Sequence, residues 1–102
     1  MEKLEQQHID HELAQFPDWS SIGDAMQRTF TFESFVDAIG FVNVVADLAE
    51  DLQHHPDILV RYRKVTLTLS THDAGGLTDR DFAFAREIDQ HIAMRSSKRL
   101  KT

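Results

Sequence analysis

The spacing of the apolar residues changes at about residue 33, and this change decides most of the fold. In 25–32, Met26, Phe30 and Phe32 alternate with polar residues, which is typical of a strand with one buried face. In 33–52 the apolar residues recur every three to four positions, which predicts a helix with a broad apolar side. A chain that changes period in this way combines a helical layer with a sheet.

Three further segments have the composition of strands, namely 19–22, 58–62 and 65–71. The last two are predicted to pair through a tight turn near Arg63-Lys64. Together with 25–32 they give four strands, which we expect to form one antiparallel sheet.

Two more helices are predicted, one at each end of the chain. Residues 2–15 form a modest amphipathic helix that ends before Pro17. Thr78 and Asp81 resemble a capping box, and a last helix extends from there to about Met94. The predicted fold is therefore an α+β single-domain sandwich, in the order α-β-β-α-β-β-α, with about three helices on one face of the sheet.

The size and composition of the chain narrow its class. Its 102 residues predict one domain over 1–102, and we expect 95–102 to be a basic, fraying tail. No apolar run approaches the roughly eighteen residues that span a membrane. The first residues lack the pattern of a signal peptide, and the chain has no cysteine. These features favour a cytoplasmic protein without disulfides.

Charge is distributed unevenly along the chain. Residues 1–57 have twelve acidic and two basic residues, a net charge of −10, and residues 58–102 have five and nine, a net charge of +4. The sum is the overall charge of −6. Because the chain is acidic overall, a nucleic-acid partner is not expected.

Three histidines lie near the ends of predicted elements. His54 and His55 follow the long helix, and His72 follows the strand 65–71. Antiparallel pairing of 58–62 with 65–71 would bring these three residues to one sheet edge, where Asp81 could meet them. Histidine is the one side chain whose unperturbed pKa, about 6.5, suits proton transfer near neutral pH. The pattern predicts a site for acid/base chemistry.

Each of these residues also has a structural explanation. His55 could cap the long helix, Asp81 could cap the last helix, and His72 could be an ordinary loop residue. A zinc site made by His54, His55 and His72 is an alternative, although adjacent histidines usually point apart. The remaining histidines are expected on the surface: His8, His11 and His91.

The region from Glu50 to Asp81 resembles the pterin-4a-carbinolamine dehydratase family. Glu50 is followed after three residues by His54-His55-Pro56, after five more by Tyr62, after nine by His72 and after eight by Asp81. Further matching residues are Ser70-Thr71-His72-Asp73 and Gly76-Leu77-Thr78, and more loosely Trp19, Phe30-Thr31-Phe32 and Phe35. The chain departs from the family at Ile58, where an aromatic residue is common, and at Pro17-Asp18, where glycine is common.

The resemblance implies an enzyme that dehydrates 4a-hydroxytetrahydropterins to quinonoid dihydropterins in the recycling of a tetrahydrobiopterin-type cofactor. The implied catalytic residues are His54, His55, His72 and Asp81. By analogy His54 and His72 are acid/base candidates, His55 chiefly binds substrate, and Asp81 orients a histidine or raises its basicity. The implied substrate-binding residues are His54, His55, Pro56, Thr71, His72 and Asp73. No metal or other cofactor is implied, because the pterin is itself the substrate.

The resemblance also implies partners. A homodimer or homotetramer is expected, and an aromatic amino-acid hydroxylase is a candidate protein partner. Some relatives are protein-binding or assembly modules without catalysis, and this is the alternative function for the chain.

Overall fold

The computed structural model describes the backbone of residues 2–101 and the side chains of residues 2–95. The elements in chain order are α1 (Gln6–Leu13), β1 (Ser20–Ile22), β2 (Ala25–Thr31), α2 (Phe35–Leu52), β3 (Asp57–Arg61), β4 (Lys64–Leu69) and α3 (Asp79–Lys101). A short 3-10 turn, His72–Ala74, lies between β4 and α3. The predicted order of helices and strands and the α+β class are confirmed.

The four strands form one antiparallel sheet in the order β1-β2-β4-β3. In β4, Val65, Leu67 and Leu69 are buried, and the alternate residues Thr66 and Thr68 lie on the other face. The first face meets the helices and the second is open to solvent. Strand β3 forms one edge of the sheet, so β4 is paired on both sides.

The core lies between the sheet and the helices. Helix α2 is capped by Ser34, whose hydroxyl accepts the Asp37 N–H at 3.0 Å, and it buries a stripe made by Ala38, Phe41, Val45 and Ala49. Helix α3 adds Phe82, Phe84, Ala85 and Ile88. This stripe of α2 is narrower than the sequence predicts, because Phe35 and Leu52 are 49% and 39% exposed.

A polar contact ties α3 to the sheet on the core side. The Trp19 indole N–H and the Arg28 guanidinium both donate to one carboxylate oxygen of Asp89, at 2.9 and 2.7 Å. Asp89 lies eight residues after Asp81 on α3, which corresponds to about 12 Å along the helix axis. The contact therefore fixes the helix on the sheet well away from its N-terminus.

Several predicted boundaries were wrong. Helix α3 continues past Met94 to Lys101, and α1 is shorter than 2–15. The turn between β3 and β4 is at Tyr62-Arg63, one residue before its predicted place, because Tyr62 has a positive φ of 54°. The side chains from residue 96 on lie outside the described residues. Most of the predicted basic, fraying tail 95–102 therefore falls outside them too.

The placement of His91 on an exposed helix face was also wrong. His91 is half-buried, and its ring stacks on Phe41 of α2 with centroids 6.4 Å apart. The reason is its position three residues after the buried Ile88, on the flank of α3 that faces α2. His8 and His11 are exposed, as predicted.

No helix in the described part of the chain is both long enough and apolar enough to cross a bilayer.

Candidate active site

The end of α2 separates the two adjacent histidines. Gln53, the residue after the helix, adopts a left-handed conformation with φ of 50° and ψ of 47°. The His54 N–H donates to the carbonyl of Ala49 at 3.0 Å, which closes the helix end. As a result the side chain of His54 is buried, whereas that of His55 is 60% exposed.

The His54 ring is hydrogen-bonded to the Asp81 carboxylate at the start of α3. Its Nε2 lies 2.5 Å from Asp81 Oδ1, and the two side chains are 8% and 0% exposed. The two residues are 27 positions apart in the sequence. The predicted meeting of a histidine with Asp81 is therefore present for His54.

Two threonines hold the other oxygen of Asp81. The Thr71 hydroxyl donates to Oδ2 at 2.8 Å, and the Thr78 N–H donates to the same oxygen at 2.9 Å. Since the Thr71 proton is used in this bond, the Thr78 hydroxyl must donate to Thr71 Oγ1, at 2.8 Å. The contact between Asp81 and the Thr78 N–H is the reciprocal half of the predicted capping box.

These contacts select the tautomer of the His54 ring. A carboxylate without a proton is an acceptor only, and Asp81 meets a donor at its two other contacts, with Thr71 and Thr78. It therefore favours a proton on His54 Nε2, since the bond that one ring nitrogen makes sets the state of the other. The remaining nitrogen, Nδ1, is then left with a lone pair that can accept a proton.

His55 has a different carboxylate partner. Its Nε2 lies 2.6 Å from Glu50 Oε2, on the last turn of α2. Both side chains are largely exposed, at 60% and 73%. A pair this exposed contributes little to stability, so we interpret it as a contact that orients the ring.

His72 is the first residue of the 3-10 turn after β4, and it is exposed. Its loop is closed at the base, because Thr71 and Gly76 exchange backbone hydrogen bonds of 3.0 and 3.4 Å. Gly75, at φ of 75°, ends the turn in the left-handed region, where a residue without Cβ is favoured. The imidazole is thus carried on a short, tied loop.

All three predicted histidines line one cavity of about 240 Å³, here called the imidazole cleft. Thr71 and Asp73, also predicted, line it too. Pro56 is half-buried and is not among the lining residues. Asp81 does not line it either and lies behind the wall, in contact with His54.

Sequence reasoning missed three residues of the imidazole cleft, which are Gln53, Ser70 and Arg80. The Arg80 guanidinium donates to the carbonyl of Gln53 and so links the start of α3 to the end of α2. Each lies directly beside a predicted residue, and Ser70 also belongs to the matching segment 70–73, so these were the signals in the sequence that could have indicated them.

Among the described side chains, no group of three or more His, Asp or Glu residues is arranged to hold a metal ion. The zinc site considered above would need His54, His55 and His72 to point at one ion, and the first two do not. His54 and His55 turn toward different carboxylates, at the two sides of the helix end.

Comparison with known proteins identifies the family. The model of the pterin 4 alpha carbinolamine dehydratase family matches residues 2–91. This chain belongs to that family. Similar curated proteins, provisionally named pterin-4-alpha-carbinolamine dehydratases, occur in Picosynechococcus sp. and Chloroflexus aurantiacus. They are 49% and 52% identical to this chain over 86% and 88% of its length, and 96% and 97% of their own.

Solved structures of similar proteins share the fold. A transcriptional coactivator/pterin dehydratase from Brucella melitensis has a TM-score of 0.83 and 32% identity, covering 86% of this chain and 96% of its own. A pterin dehydratase-like RuBisCO assembly factor of the alpha-carboxysome has a TM-score of 0.58 and 25% identity, covering 71% and 83%. The similar solved proteins thus include one named as a coactivator and dehydratase and one named as an assembly factor.

Proposed function

We propose that this protein is a dehydratase that converts a 4a-hydroxytetrahydropterin to a quinonoid dihydropterin and water. The observation that carries the proposal is the imidazole cleft, where three histidines meet and one of them is bonded to a buried carboxylate. Membership of the family supports the same reaction class.

The reaction requires two proton movements. The C4a–O bond breaks as the hydroxyl is protonated and leaves as water, and the N5 proton is lost as the C4a=N5 bond forms. No oxidant or reductant is consumed, and no cofactor is needed because the pterin is the substrate. A positioned acid and base typically each contribute about 10²–10⁴-fold to such a step.

We assign these two movements to His54 and His72. His54 Nδ1 can accept the N5 proton, since Asp81 favours the tautomer with the proton on Nε2. His72, on the exposed loop, delivers a proton to the leaving hydroxyl. His55 binds the substrate, and Thr71 and Asp73 form part of the wall. In this scheme Asp81 is a positioning residue.

The test is an assay of quinonoid dihydropterin formation from the 4a-carbinolamine. We expect a rate above the spontaneous one, lowered about 10²–10⁴-fold by His72→Ala and by His54→Ala. His8→Ala is the matched control, because His8 is an exposed histidine on α1 outside the cleft. Since His72 is exposed, its loss should not unfold the protein, so a rate unchanged in His72→Ala would overturn its role.

A second candidate is a protein-binding or assembly module without catalysis. The observations that favour it are the names of the two solved relatives and the exposed apolar side chains on α2 and β3. The same assay separates the two functions, because a module without catalysis would give only the spontaneous rate.

The proposal includes a cellular setting. We propose that the protein acts in the cytoplasm as a homodimer or homotetramer, and performs the dehydration step in the recycling of the pterin used by an aromatic amino-acid hydroxylase. When this protein is added to a hydroxylase assay, the quinonoid dihydropterin should form faster from the 4a-carbinolamine that the hydroxylase releases.

A further inference from the structure

A second cavity, of about 230 Å³, adjoins the imidazole cleft on the open face of the sheet. We call it the sheet-face pocket. It shares His55, Ser70 and His72 with the cleft, and its other polar walls are Asp24, Asp57 and Thr68. A molecule bound between His55 and His72 could therefore extend into it.

The strand register places the walls of this pocket. Asp57, the first residue of β3, is paired with Thr68 of β4, so the two side chains lie on the same face. That face is the open one, because the neighbouring Leu67 and Leu69 are buried on the other. The walls come from regular strands and are set by pairing, which is the kind of support that a specific site needs.

Hydrogen bonds hold the remaining walls. The Ser70 hydroxyl donates to the carbonyl of Asp24 at 3.1 Å, which fixes the β1–β2 turn against the end of β4. The Gln27 amide donates to Thr68 Oγ1 at 3.0 Å. The sheet-face pocket is thus a formed feature rather than a gap between mobile loops.

The chemistry of the walls favours one class of ligand. Asp24 and Asp57 offer carboxylates, which accept hydrogen bonds, and Thr68 and Ser70 offer hydroxyls. No lysine or arginine is among the residues that line it in the described part of the chain. Hydroxyl or amine groups would be bound there, whereas a carboxylate or a phosphate that extends past His55 and His72 to Asp24 and Asp57 would meet charges of its own sign.

The proposed reaction indicates which part of the substrate lies here. In a tetrahydropterin, C6 is bonded directly to N5, one of the two reacting atoms. A substituent on C6 therefore leaves the ring next to the acid and base, while the 2-amino edge is at the far end of the bicycle. Of these two parts, the C6 substituent is the one that a pocket sharing His55 and His72 with the cleft can receive.

We propose that the sheet-face pocket is a specificity subsite for the C6 substituent, which accepts uncharged hydroxylated chains and rejects anionic ones. This inference rests on the proposed function for the orientation of the substrate. It predicts a preference for a dihydroxypropyl chain over a methyl group, and for either of them over a chain that carries phosphate or carboxylate.

The first experiment measures binding without turnover. Calorimetry compares three stable 7,8-dihydropterins that carry methyl, dihydroxypropyl or a phosphorylated chain at C6. We expect the dihydroxypropyl compound to bind about tenfold more tightly than the methyl compound, since a tenfold step corresponds to roughly one or two net hydrogen bonds. The phosphorylated compound should bind at least tenfold more weakly than the methyl compound, because of like-charge repulsion.

The second experiment changes the charge of the pocket. In Asp24→Asn/Asp57→Asn we expect the affinity ratio of the phosphorylated to the methyl compound to rise about tenfold. Asp51→Asn removes one charge at an exposed position near the end of α2, outside the lining residues of the pocket, and should leave that ratio at the wild-type value.

The outcomes separate this inference from the proposed function. Equal affinity ratios in the wild type and the double variant, or no binding of any of the three compounds, would overturn the subsite. If dehydration of the 6-methyl substrate still exceeds the spontaneous rate, the proposed function stands. Conversely, the expected ratios without any dehydration would support the subsite and overturn the dehydratase.

Discussion

Asp81 organises the site more than any other residue, although it does not line the cleft. It is fully buried and accepts hydrogen bonds from His54, from the Thr71 hydroxyl and from the Thr78 N–H. One carboxylate therefore caps α3, ties the end of β4 to that helix, and sets the tautomer of an imidazole. A single substitution at this position can test all three connections.

We expect Asp81→Asn to lower kcat for dehydration about 10²-fold or more. An amide has one acceptor oxygen, so the two donors at Oδ2 would hold that oxygen and turn the NH₂ group toward His54 Nε2. His54 would then carry its proton on Nδ1 and could no longer accept one from the substrate. The measurement is steady-state kinetics together with ¹⁵N NMR of the His54 ring.

The matched control for this variant is Asp79→Asn. Asp79 is an exposed carboxylate in the same first turn of α3, so its loss should leave both kcat and the His54 tautomer unchanged. A normal kcat in Asp81→Asn, with the His54 proton moved to Nδ1, would show that the tautomer does not matter to the reaction.

The sequence indicated part of this arrangement. The capping box predicted where Asp81 lies, and the spacing of the strands predicted that the histidines come together. The hydroxyl chain from Thr78 through Thr71 to Asp81 could not be predicted, because it depends on a contact between the base of a loop and the first turn of α3. The burial of His91 was missed for a similar reason, since it depends on how α3 packs on α2.

At the scale of the elements, two residues with positive φ lie where regular elements end, and one of them, Gln53, lines the imidazole cleft. Gln53 ends α2 and Tyr62 begins the β3–β4 turn, and neither is a glycine. The apolar periods and the strand-like composition predicted the type and order of the three helices and four strands, because burial of one face imposes such patterns. They could not predict these two residues, since the left-handed conformation is favoured mainly by glycine and asparagine, and Tyr62 has the composition of a strand.

The turn at Tyr62 gives a prediction for stability. An L-residue with a side chain costs roughly 1–2 kcal/mol in the left-handed region, and glycine avoids this cost. We therefore expect Tyr62→Gly to have a free energy of unfolding about 1 kcal/mol higher than Tyr62→Ala. Tyr62 is 71% exposed, so both variants lose little packing. The measurement is denaturant unfolding of the two variants.

A neighbouring position provides the control. Lys64 is an exposed residue within β4, two positions further on, where glycine should be less stable than alanine because it is more flexible in the unfolded chain. Opposite orders at 62 and 64 would support the strained turn. The same order at both positions, with alanine the more stable, would contradict it.

At the scale of the whole molecule, one face of α2 and the edge strand β3 have unusual exposure. Phe35, Val36 and Ile39 are 49%, 77% and 36% exposed, and on β3 Leu59 is 54% exposed. The buried side of α2 packs on the sheet and α3, so Phe35, Val36 and Ile39 form a second apolar side of this helix that the fold leaves uncovered. Leu59, paired with Thr66, lies on the open face of the sheet. Apolar exposure grouped on one helix side marks an interaction surface, and an edge strand also offers unpaired backbone groups.

We predict that a second copy of the chain covers the exposed apolar side of α2, which Phe35, Val36 and Ile39 form. Sedimentation equilibrium should then give two or four times the chain mass of 11.7 kDa. Val36→Glu would place a charge within the contact and should shift the protein toward the single-chain mass. Ala83→Glu adds the same side chain at an exposed position on α3 and should not. A wild-type mass of one chain at tens of micromolar would contradict self-association and leave the exposed side of α2 for another protein, as the assembly function requires.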